Sequence, residues 1–324
     1  MMRVSKIVAA LLTVGCMGTA MAQQKIELRA SDIWGDDYPT VKALRHMGEL
    51  LSERTKGRLS IKVYSNGSLG NEKEVLEQVK IGALDMVRVN ISPLNNICPD
   101  TMVPALPFLF RSIDHMHKAL DGAPGEKILT ACESQGYVGL AYYDSGARSI
   151  YAKKPIKSLA DTKGLKLRVQ QSDLWVAVAQ AMGANPTPMA MGEVYTALRT
   201  GLIDAAENNI PSWESGKHFE VAKIFSKTEH SMAPEVVLIS KRVWDKLSPE
   251  DQKLVKQAAK DSVPYNRKLW AEREEASLKI VTAGGGTIVE VDKKPFQDAM
   301  KPVYDKFVTS DSQKALVKAI QDIK

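Results

Sequence analysis

Two arginines occupy positions at which a guanidinium group could hold a carboxylate. Arg168 lies in a predicted strand over residues 165–169, whose apolar side chains share one face while Lys166 and Arg168 share the other. Arg148 follows a Ser-Gly-Ala segment, at the predicted junction of a loop with a strand that begins near Ser149. A guanidinium binds a carboxylate through two parallel hydrogen bonds. The pattern indicates a carboxylate site, with surface residues or structural ion pairs as the equally open alternative.

Two asparagines follow another predicted strand. Asn208 and Asn209 come directly after an apolar stretch over residues 202–206. In open α/β sheets, ligands bind in the crevice beyond the carboxyl ends of the strands. An asparagine amide both donates and accepts hydrogen bonds, which suits hydroxyl and carboxylate groups alike. We therefore predict that these asparagines contact a polar ligand, and an ordinary surface position remains the alternative.

The sequence carries none of the motifs that mark common catalytic or metal centres. It lacks a Gly-x-Ser-x-Gly elbow, a His-Glu-x-x-His helix, a Walker loop and a Cys-x-x-Cys pair. His115 and His117 are two apart on a predicted helix and so point to different faces. The other histidines are isolated, which favours surface or capping positions for His46, His218 and His230. We expect a binding protein and not an enzyme, with neither cofactor nor metal.

Strand-like and helix-like segments alternate along the chain, a pattern typical of α/β proteins. Apolar residues at helical spacing predict a helix over residues 41–51, and strict alternation predicts a strand over residues 59–64. Asn71 followed by Glu74 predicts a capped helix start, and Gly82 predicts the end of that helix. The glycines at 284–286 lack the spacing of a phosphate loop and predict a turn before a strand over residues 287–291.

The length of the chain and a short internal sequence similarity favour two lobes. About 300 residues remain once a leader is set aside, enough for two domains with separate cores. Residues 80–85 and 199–204 both read as a helix that ends on glycine before a strand and an aspartate, which is weak evidence of a repeat. Ser248 begins a predicted helix that runs to about Val281, roughly 45 Å. Pro264 should kink it or break it in two, and such a helix could lie across both lobes.

The first residues resemble a secretion signal. Arg3 and Lys6 precede a short apolar run over residues 7–14, and a small-x-small pattern over residues 20–22 predicts cleavage after Ala22, before Gln23. We therefore expect an exported, periplasmic protein. The alternative is a lipoprotein anchored at Cys16, although Thr13 stands where such an anchor usually has a leucine-like residue.

Composition and cysteine usage narrow the function classes. The net charge of +6 includes two cations and no acid within residues 1–22, so +4 remains after processing. Lysines and arginines are scattered among acids without a basic stripe, which argues against a nucleic-acid partner. No later segment is long and apolar enough to span a bilayer. Cys98 and Cys132 survive processing, and either a disulfide or two buried thiols fits their apolar surroundings.

Several segments closely resemble one family of transport proteins. The sequence is similar to the solute-binding proteins of tripartite ATP-independent periplasmic (TRAP) transporters over essentially the whole mature chain. The resemblance is carried by four segments in the family's order: residues 104–110, 164–169, 193–198 and 201–209.

The resemblance implies a two-lobed α/β fold of the periplasmic binding protein type II kind, with a long helix spanning both lobes. It places lobe I at residues 23–145 plus 234–273 and lobe II at residues 146–233 plus 274–324. It implies that Arg168 holds the ligand carboxylate, with Arg148 as a second basic contact and Asn208 as a polar one. The expected partners are a small carboxylate and the membrane subunits of an ion-gradient-driven transporter, and we expect a monomer.

Three further segments, residues 36–40, 86–90 and 232–235, look like the branch of that family that binds hexuronates such as glucuronate and galacturonate. In that branch Arg168 would take the acid group, while the ring hydroxyls would meet the remaining polar contacts. These contacts are Asp37, Tyr38, Arg88, Asn90, Asn208 and Asn209.

Two residues depart from commoner family patterns. Met191 stands where many relatives carry a phenylalanine against the ligand, and Trp34 could stack on a sugar face or fill core. These departures leave another organic acid open, namely an aldonate, keto acid or dicarboxylate. An exported enzyme that acts on sugar acids and a ligand-sensing partner of a membrane receptor are the competing function classes.

Overall fold

A computed structural model describes residues 25–324 of the chain. The predicted leader, its cleavage after Ala22 and the alternative lipid anchor at Cys16 lie outside these residues. Within residues 25–324, no helix combines the length and the apolar character needed to cross a bilayer.

The strands follow the predicted alternation with helices. They are β1 (Ile26–Ser31), β2 (Leu59–Tyr64), β3 (Met86–Asn90), β4 (Tyr137–Tyr143), β5 (Arg148–Ala152), β6 (Lys166–Val169), β7 (Asn185–Pro188), β8 (Ala205–Asn208), β9 (Ile224–Ser231), β10 (Glu235–Ser240) and β11 (Thr287–Glu290).

The α-helices cover the faces and ends of the sheets. They are α1 (Pro39–Arg54), α2 (Glu72–Ile81), α3 (Ile113–Asp121), α4 (Ala123–Thr130), α5 (Asp173–Ala181), α6 (Val194–Thr200), α7 (Ile210–Ser215), α8 (Lys241–Trp244), α9 (Pro249–Ala283), α10 (Lys294–Asp298), α11 (Lys301–Phe307) and α12 (Asp311–Gln321).

These strands form two mixed sheets, one in each lobe. The first sheet has the order β2-β1-β3-β10-β4, and the second has the order β11-β9-β5-β8-β6-β7. In the first sheet β10 returns antiparallel between β3 and β4, so it carries the chain back from the second lobe into the first. The prediction of an α/β, two-lobed fold is confirmed.

Local capping places α2 where its first residue meets the space between the sheets. The Asn71 side chain accepts from the backbone N–H groups of Lys73 and Glu74, and Glu74 reaches back to Asn71 N. Gly82 ends the helix in the left-handed region, with φ of 77°. Both predicted helix boundaries are therefore confirmed.

The long helix α9 connects the two lobes without interruption. Its 35 residues span about 52 Å, and Ser248 caps its start by accepting from Asp251 N. It packs on α1 and β4 on the side of the first sheet and on α7 and β11 on the side of the second. The break predicted at Pro264 is wrong, since the helix continues through that residue. Packing on both sides holds the turns flanking the proline, with Ser262, Asn266 and Trp270 buried.

Cys98 and Cys132 form a disulfide, which settles the alternative that the sequence left open. Both residues are buried, and their Cα atoms lie 5.5 Å apart. The bridge closes a loop that includes α3 and α4. The last helices, α11 and α12, pack on α5 and on the segment around Pro99, so the end of the chain covers part of both lobes.

The first chain crossing between the lobes requires a glycine. Gly146, between β4 and β5, has φ of +58°. A Cβ added there would lie 2.9 Å from Trp270 Nε1 and 3.0 Å from Glu274 Oε1, both on α9. A side chain at residue 146 would clash with α9. The absence of a side chain therefore allows the crossing segment to lie this close to the spanning helix.

We predict that Gly146→Ala destabilises the protein by more than the cost of placing an alanine in the left-handed backbone region. Gly164 is the matched control, because it has φ of +76° and no atom within 4 Å of an added Cβ. Gly146→Ala should lower the free energy of unfolding by about 1–2 kcal/mol more than Gly164→Ala, the additional loss arising from the clash with α9. Urea denaturation measures both variants, and equal losses would contradict the close approach.

Candidate ligand-binding site

Two adjoining cavities lie between the lobes. The outer cavity has a volume of about 420 Å³, and the inner one is a narrow polar recess of about 20 Å³. A cleft of the larger size suits a small organic ligand. The walls that the two cavities share consist of Ile33, Trp34, Glu72, Arg168, Gln170 and Met191.

Arg168 lies in the wall of both cavities, with no acidic partner in the part of the chain that the structure describes. It is on β6, buried to 4% exposure, and its Nε and Nη2 donate to Met189 O at 3.0 and 2.7 Å. No carboxylate within residues 25–324 comes within salt-bridge distance of it, and Nη1 has no described partner. Burial lowers the pKa of Arg168, although an arginine stays charged near neutral pH. The site therefore presents a desolvated cation that lacks its anion.

Arg148, by contrast, is already neutralised. It begins β5, and its Nε and Nη2 donate to the Glu207 carboxylate at 2.6 and 2.9 Å. Its guanidinium also lies 5.3 Å from the centre of the Trp175 ring. The alternative of a structural ion pair therefore holds for Arg148, which also lines the inner cavity, and its contact with a ligand stays a prediction.

Arg88 is the centre of an acidic cluster on the opposite wall. It lies on β3 and is 1% exposed, with Nε 2.7 Å from Asp32 Oδ2 and Nη1 2.7 Å from Glu235 Oε2. Glu72 Oε1 lies 3.7 Å from Nη1. Three acids thus surround one arginine on the wall built by the first sheet. The predicted contact of Arg88 with a sugar hydroxyl is compatible with its position in the inner wall, but its donors are occupied.

The cleft is consequently electrically asymmetric. The second lobe contributes Arg168, a cation without a carboxylate partner among the described residues, while the first lobe contributes Glu72 and Glu235 around the single charge of Arg88. A ligand that bridges the walls should carry one anionic end toward Arg168 and hydrogen-bond donors toward the acids. A second anionic group at the far end would meet carboxylates.

The pKa of the Glu72 carboxyl group is raised in this wall of the cleft. Its side chain is 17% exposed and accepts from Asn90 N at 2.8 Å. Burial, followed by the negative charge of Glu235, raises the pKa of Glu72 to about 7, against the opposing effect of Arg88. Near neutral pH this carboxyl group can therefore accept or donate toward a ligand hydroxyl. Because it is the first residue of α2, only the capping pattern at Asn71 could have indicated its position from sequence.

Asn208 and Met191 lie side by side in the inner wall. Asn208 ends β8, two residues beyond Ala206, which pairs with Arg168 across the sheet. Its Nδ2 has only a weak contact with Met191 Sδ, 3.7 Å away, while its Oδ1 accepts from Asn209 N. The amide donor is thus directed toward the cavity side, as the prediction for Asn208 requires.

Trp34 packs in the core and also lines the cleft, so its stacking on a sugar face stays a prediction. Its ring stacks on Tyr38 at 4.4 Å between centroids, with 12° between the planes. Trp34 is half-buried and lines both cavities, so one part of the indole belongs to the core and another part to the cleft.

Several predicted contacts do not lie in the cavity walls. Asp37 is 92% exposed at its side chain and faces Lys42, because it precedes α1 on the outer surface. Tyr38 is buried beneath Trp34 and bonds Ser212 Oγ at 2.9 Å. Asn209 caps α7, and its Nδ2 donates to Ser145 O at 2.7 Å. We correct the direct-contact prediction for these residues. Asp37 has no part in the cleft, while Tyr38 and Asn209 support its walls from behind.

Asn90 lies in the inner wall with most of its hydrogen-bonding capacity used. Its Nδ2 donates to Glu235 Oε1 at 3.1 Å, and its Oδ1 accepts from Ser92 Oγ at 2.7 Å. It therefore positions Glu235 and has limited capacity for a ligand.

Sequence reasoning missed Gln170 and His218. Gln170 lines both cavities, and its buried Nε2 has no described partner, which makes it a donor available to a ligand. His218 lines the outer cavity and is only 2% exposed, so the predicted surface or capping position is wrong for it. His230 is also buried, 3.6 Å from Glu207 Oε2. Gln170 follows Arg168 by two residues and could have been found from that spacing, whereas nothing local indicated His218.

The fold and the cleft define a two-lobed solute-binding protein. A family model described as DctP, bacterial extracellular solute-binding protein, family 7, matches residues 30–311. The chain therefore belongs to this family of extracellular solute-binding proteins, as its resemblance to TRAP solute-binding proteins predicted.

Solved structures of similar proteins share the fold. A TRAP periplasmic solute-binding protein from Bradyrhizobium sp. BTAi1, in complex with D-galacturonate, is 60% identical, with a TM-score of 0.91 over 92% of this chain and 100% of that chain. One from Pseudomonas putida F1, with bound D-glucuronate, is 41% identical, with a TM-score of 0.89 over 92% and 98%. In amino-acid sequence, the chain is also similar to the 2,3-diketo-L-gulonate-binding periplasmic protein YiaO of Escherichia coli K12, with 38% identity over 87% of both chains.

We predict that Glu72→Gln changes the dependence of stability on pH. The folded pKa of about 7 lies above the ordinary value of 4.5, so the contribution of this group is fully present below pH 4.5 and is lost as pH rises through 7. The glutamine variant lacks this loss. The unfolding free energy of the variant, relative to that of the parent, should therefore rise by about 1–3 kcal/mol from pH 5 to pH 8.

Denaturation of the ligand-free protein at the two pH values measures this effect. Glu77→Gln removes a charge from an exposed position of the same helix and is the control. A parallel pH profile for the parent and Glu72→Gln would show that Glu72 is not buried against Glu235.

Proposed function

We propose that this protein captures a hexuronate, galacturonate or glucuronate, in the periplasm and presents it to the membrane subunits of a TRAP transporter. The observation that carries the proposal is Arg168, a buried guanidinium in the cleft without an acidic partner within residues 25–324. A ligand carboxylate would complete it with charge-assisted hydrogen bonds.

The opposite wall favours a polyhydroxylated ligand with one acid group. Hydroxyls donate to Glu72 and Glu235, while a second carboxylate at that end would be repelled by the same acids. This argues for a sugar acid over a dicarboxylate. The size of the outer cavity, about 420 Å³, admits a hexose ring.

The middle of the cleft offers the features that bind a sugar ring. Trp34 provides an aromatic surface for the apolar face of the ring, and Gln170 and Asn208 provide amide donors for ring and hydroxyl oxygens. The relatives described above with galacturonate and glucuronate bound support the same ligand class.

Transport requires export and lobe closure. We propose cleavage of the leader after Ala22, a monomeric mature protein, and closure of lobe I (23–145 plus 234–273) on lobe II (146–233 plus 274–324). The crossings near Gly146 and before β10, together with α9, are the connections about which the lobes would move. Binding that orders the closed form would give the membrane subunits a surface that the empty protein lacks.

We predict selective thermal stabilisation of the mature chain by hexuronates. A ligand present at about 1,000 times its dissociation constant adds about 4 kcal/mol to the free energy of unfolding. Galacturonate or glucuronate should raise the melting temperature by several degrees, while succinate and malate should not, because their second carboxylate meets Glu72 and Glu235.

The same thermal-shift panel includes an aldonate, 2,3-diketo-L-gulonate and sialic acid. A shift with one of these alone would retain solute binding and contradict the hexuronate assignment. A shift with succinate equal to that with galacturonate would contradict the role of the acidic wall. Turnover of a uronate during the assay would indicate an enzyme instead.

We predict that Arg168→Ala weakens hexuronate binding by at least about a hundred-fold, since two charged hydrogen bonds contribute about 1.5–3 kcal/mol each. Arg168→Lys should recover only part of that loss, because an ammonium group lacks the planar fork. Isothermal titration calorimetry measures the dissociation constants. Arg199→Ala, which removes an exposed arginine on α6, is the control and should bind like the parent. Unchanged affinity of Arg168→Ala would place the carboxylate elsewhere.

A further inference from the structure

His218 lies in the wall of the outer cavity, and one of its two ring nitrogens has no hydrogen-bond partner among the described residues. The imidazole stacks on the ring of Tyr151, with 5.6 Å between centroids, and its Nδ1 lies 2.8 Å from the Tyr151 hydroxyl. No described residue forms a hydrogen bond with Nε2. Arg168 lines the same cavity, and its positive charge acts on the imidazole.

The hydrogen bond to Tyr151 fixes which nitrogen carries the proton. Tyr151 is fully buried, and its hydroxyl has no partner other than His218 within residues 25–324. If Nδ1 donated, the phenolic proton would be a buried donor without an acceptor, which folded proteins avoid. The hydroxyl therefore donates to Nδ1. Burial, and then the charge of Arg168, lower the pKa of His218 to about 3, so the neutral ring carries its one proton on Nε2.

Gly216 leaves this N–H uncovered. The residue has φ of −76° and ψ of −1°, an ordinary right-handed conformation that any residue adopts. A Cβ at this position would lie 2.8 Å from His218 Nε2 and 3.0 Å from Cε1. Gly216 also lines the outer cavity. The backbone conformation therefore does not require glycine at this position. A side chain would cover Nε2, so access to that nitrogen does require glycine.

We propose that the Nε2–H group of His218 is a fixed hydrogen-bond donor that reads an acceptor oxygen at the carboxylate end of the ligand, and that Gly216 keeps it accessible. This makes His218 a specificity-determining residue, and the inference rests on the proposed sugar-acid function. The donor is locked by Tyr151, so it selects an oxygen that accepts and disfavours a ligand that presents a donor at that point.

The test compares dissociation constants for galacturonate and glucuronate by calorimetry. The double variant Tyr151→Phe/His218→Phe removes both hydrogen-bonding partners together, so neither leaves an orphaned buried group, and the aromatic stacking is retained. We expect about ten- to hundred-fold weaker binding than the parent, with the melting temperature of the ligand-free protein nearly unchanged. Tyr151→Phe alone retains the imidazole but removes the hydrogen bond that fixes its tautomer, so its loss of affinity should be smaller than that of the double variant.

Gly216→Ala provides an independent arm should the double variant fail to fold. Its methyl group covers Nε2, and we expect a loss of affinity similar to that of the double variant. Heteronuclear NMR of labelled histidine nitrogens should show Nε2 protonated in the free protein, and its resonance should move when ligand is added.

The outcomes separate the two proposals. Parent-like affinity of the double variant, or of Gly216→Ala if the double variant does not fold, would overturn the role of His218 and leave hexuronate binding intact. A proton on Nδ1, or an Nε2 resonance that does not respond to ligand, would also overturn the role of His218. If the parent itself binds no acid sugar, both the proposed function and this inference fail.

Discussion

The structure depends on a buried positive charge that no carboxylate among residues 25–324 neutralises. Arg168 is desolvated within β6 and satisfied only in part, by the carbonyl oxygen of Met189. Burying a charge without a partner is expensive, so the arrangement makes physical sense if an anion completes it. In the proposed function, a ligand carboxylate between the lobes would supply that anion and would give both walls a common group on which to close.

The other charges of the cleft leave Arg168, and not the neighbouring arginines, open to an anionic ligand. Glu207 pairs with Arg148, and Asp32 and Glu235 pair with Arg88, so among the described arginines of the cleft only Arg168 lacks an acidic partner, and it faces an acidic wall. The distribution works only if each closure of the lobes returns the two walls to the same relative positions. The uninterrupted helix α9 and the close approach at Gly146 provide that constraint, because both tie the crossing strands to a rigid element.

Much of this could be predicted from the sequence, for identifiable reasons. Periodicity and capping located β2, the start of α2 at Asn71 and the strand that carries Arg168, because these depend on short-range patterns. The positions of Asn208 beyond a strand and of the long helix that begins at Ser248 also followed from local pattern, and the family resemblance implied a ligand contact for the first and a span of both lobes for the second. What could not be predicted depends on contacts between distant segments. These features are the burial of His218 against Tyr151, the exposure of Asp37, the continuity of α9 through Pro264, and the pKa of Glu72, which is raised by burial and then by Glu235 on a strand more than 160 residues away.

The most direct test of the central claim is a crystal structure of the mature protein grown with galacturonate. The account predicts that both carboxylate oxygens of the sugar lie about 2.7–3.0 Å from guanidinium nitrogens of Arg168, with the ring hydroxyls turned toward Glu72 and Glu235. A ligand whose carboxylate lies against another residue, or whose hydroxyls face Arg168 instead, would contradict it.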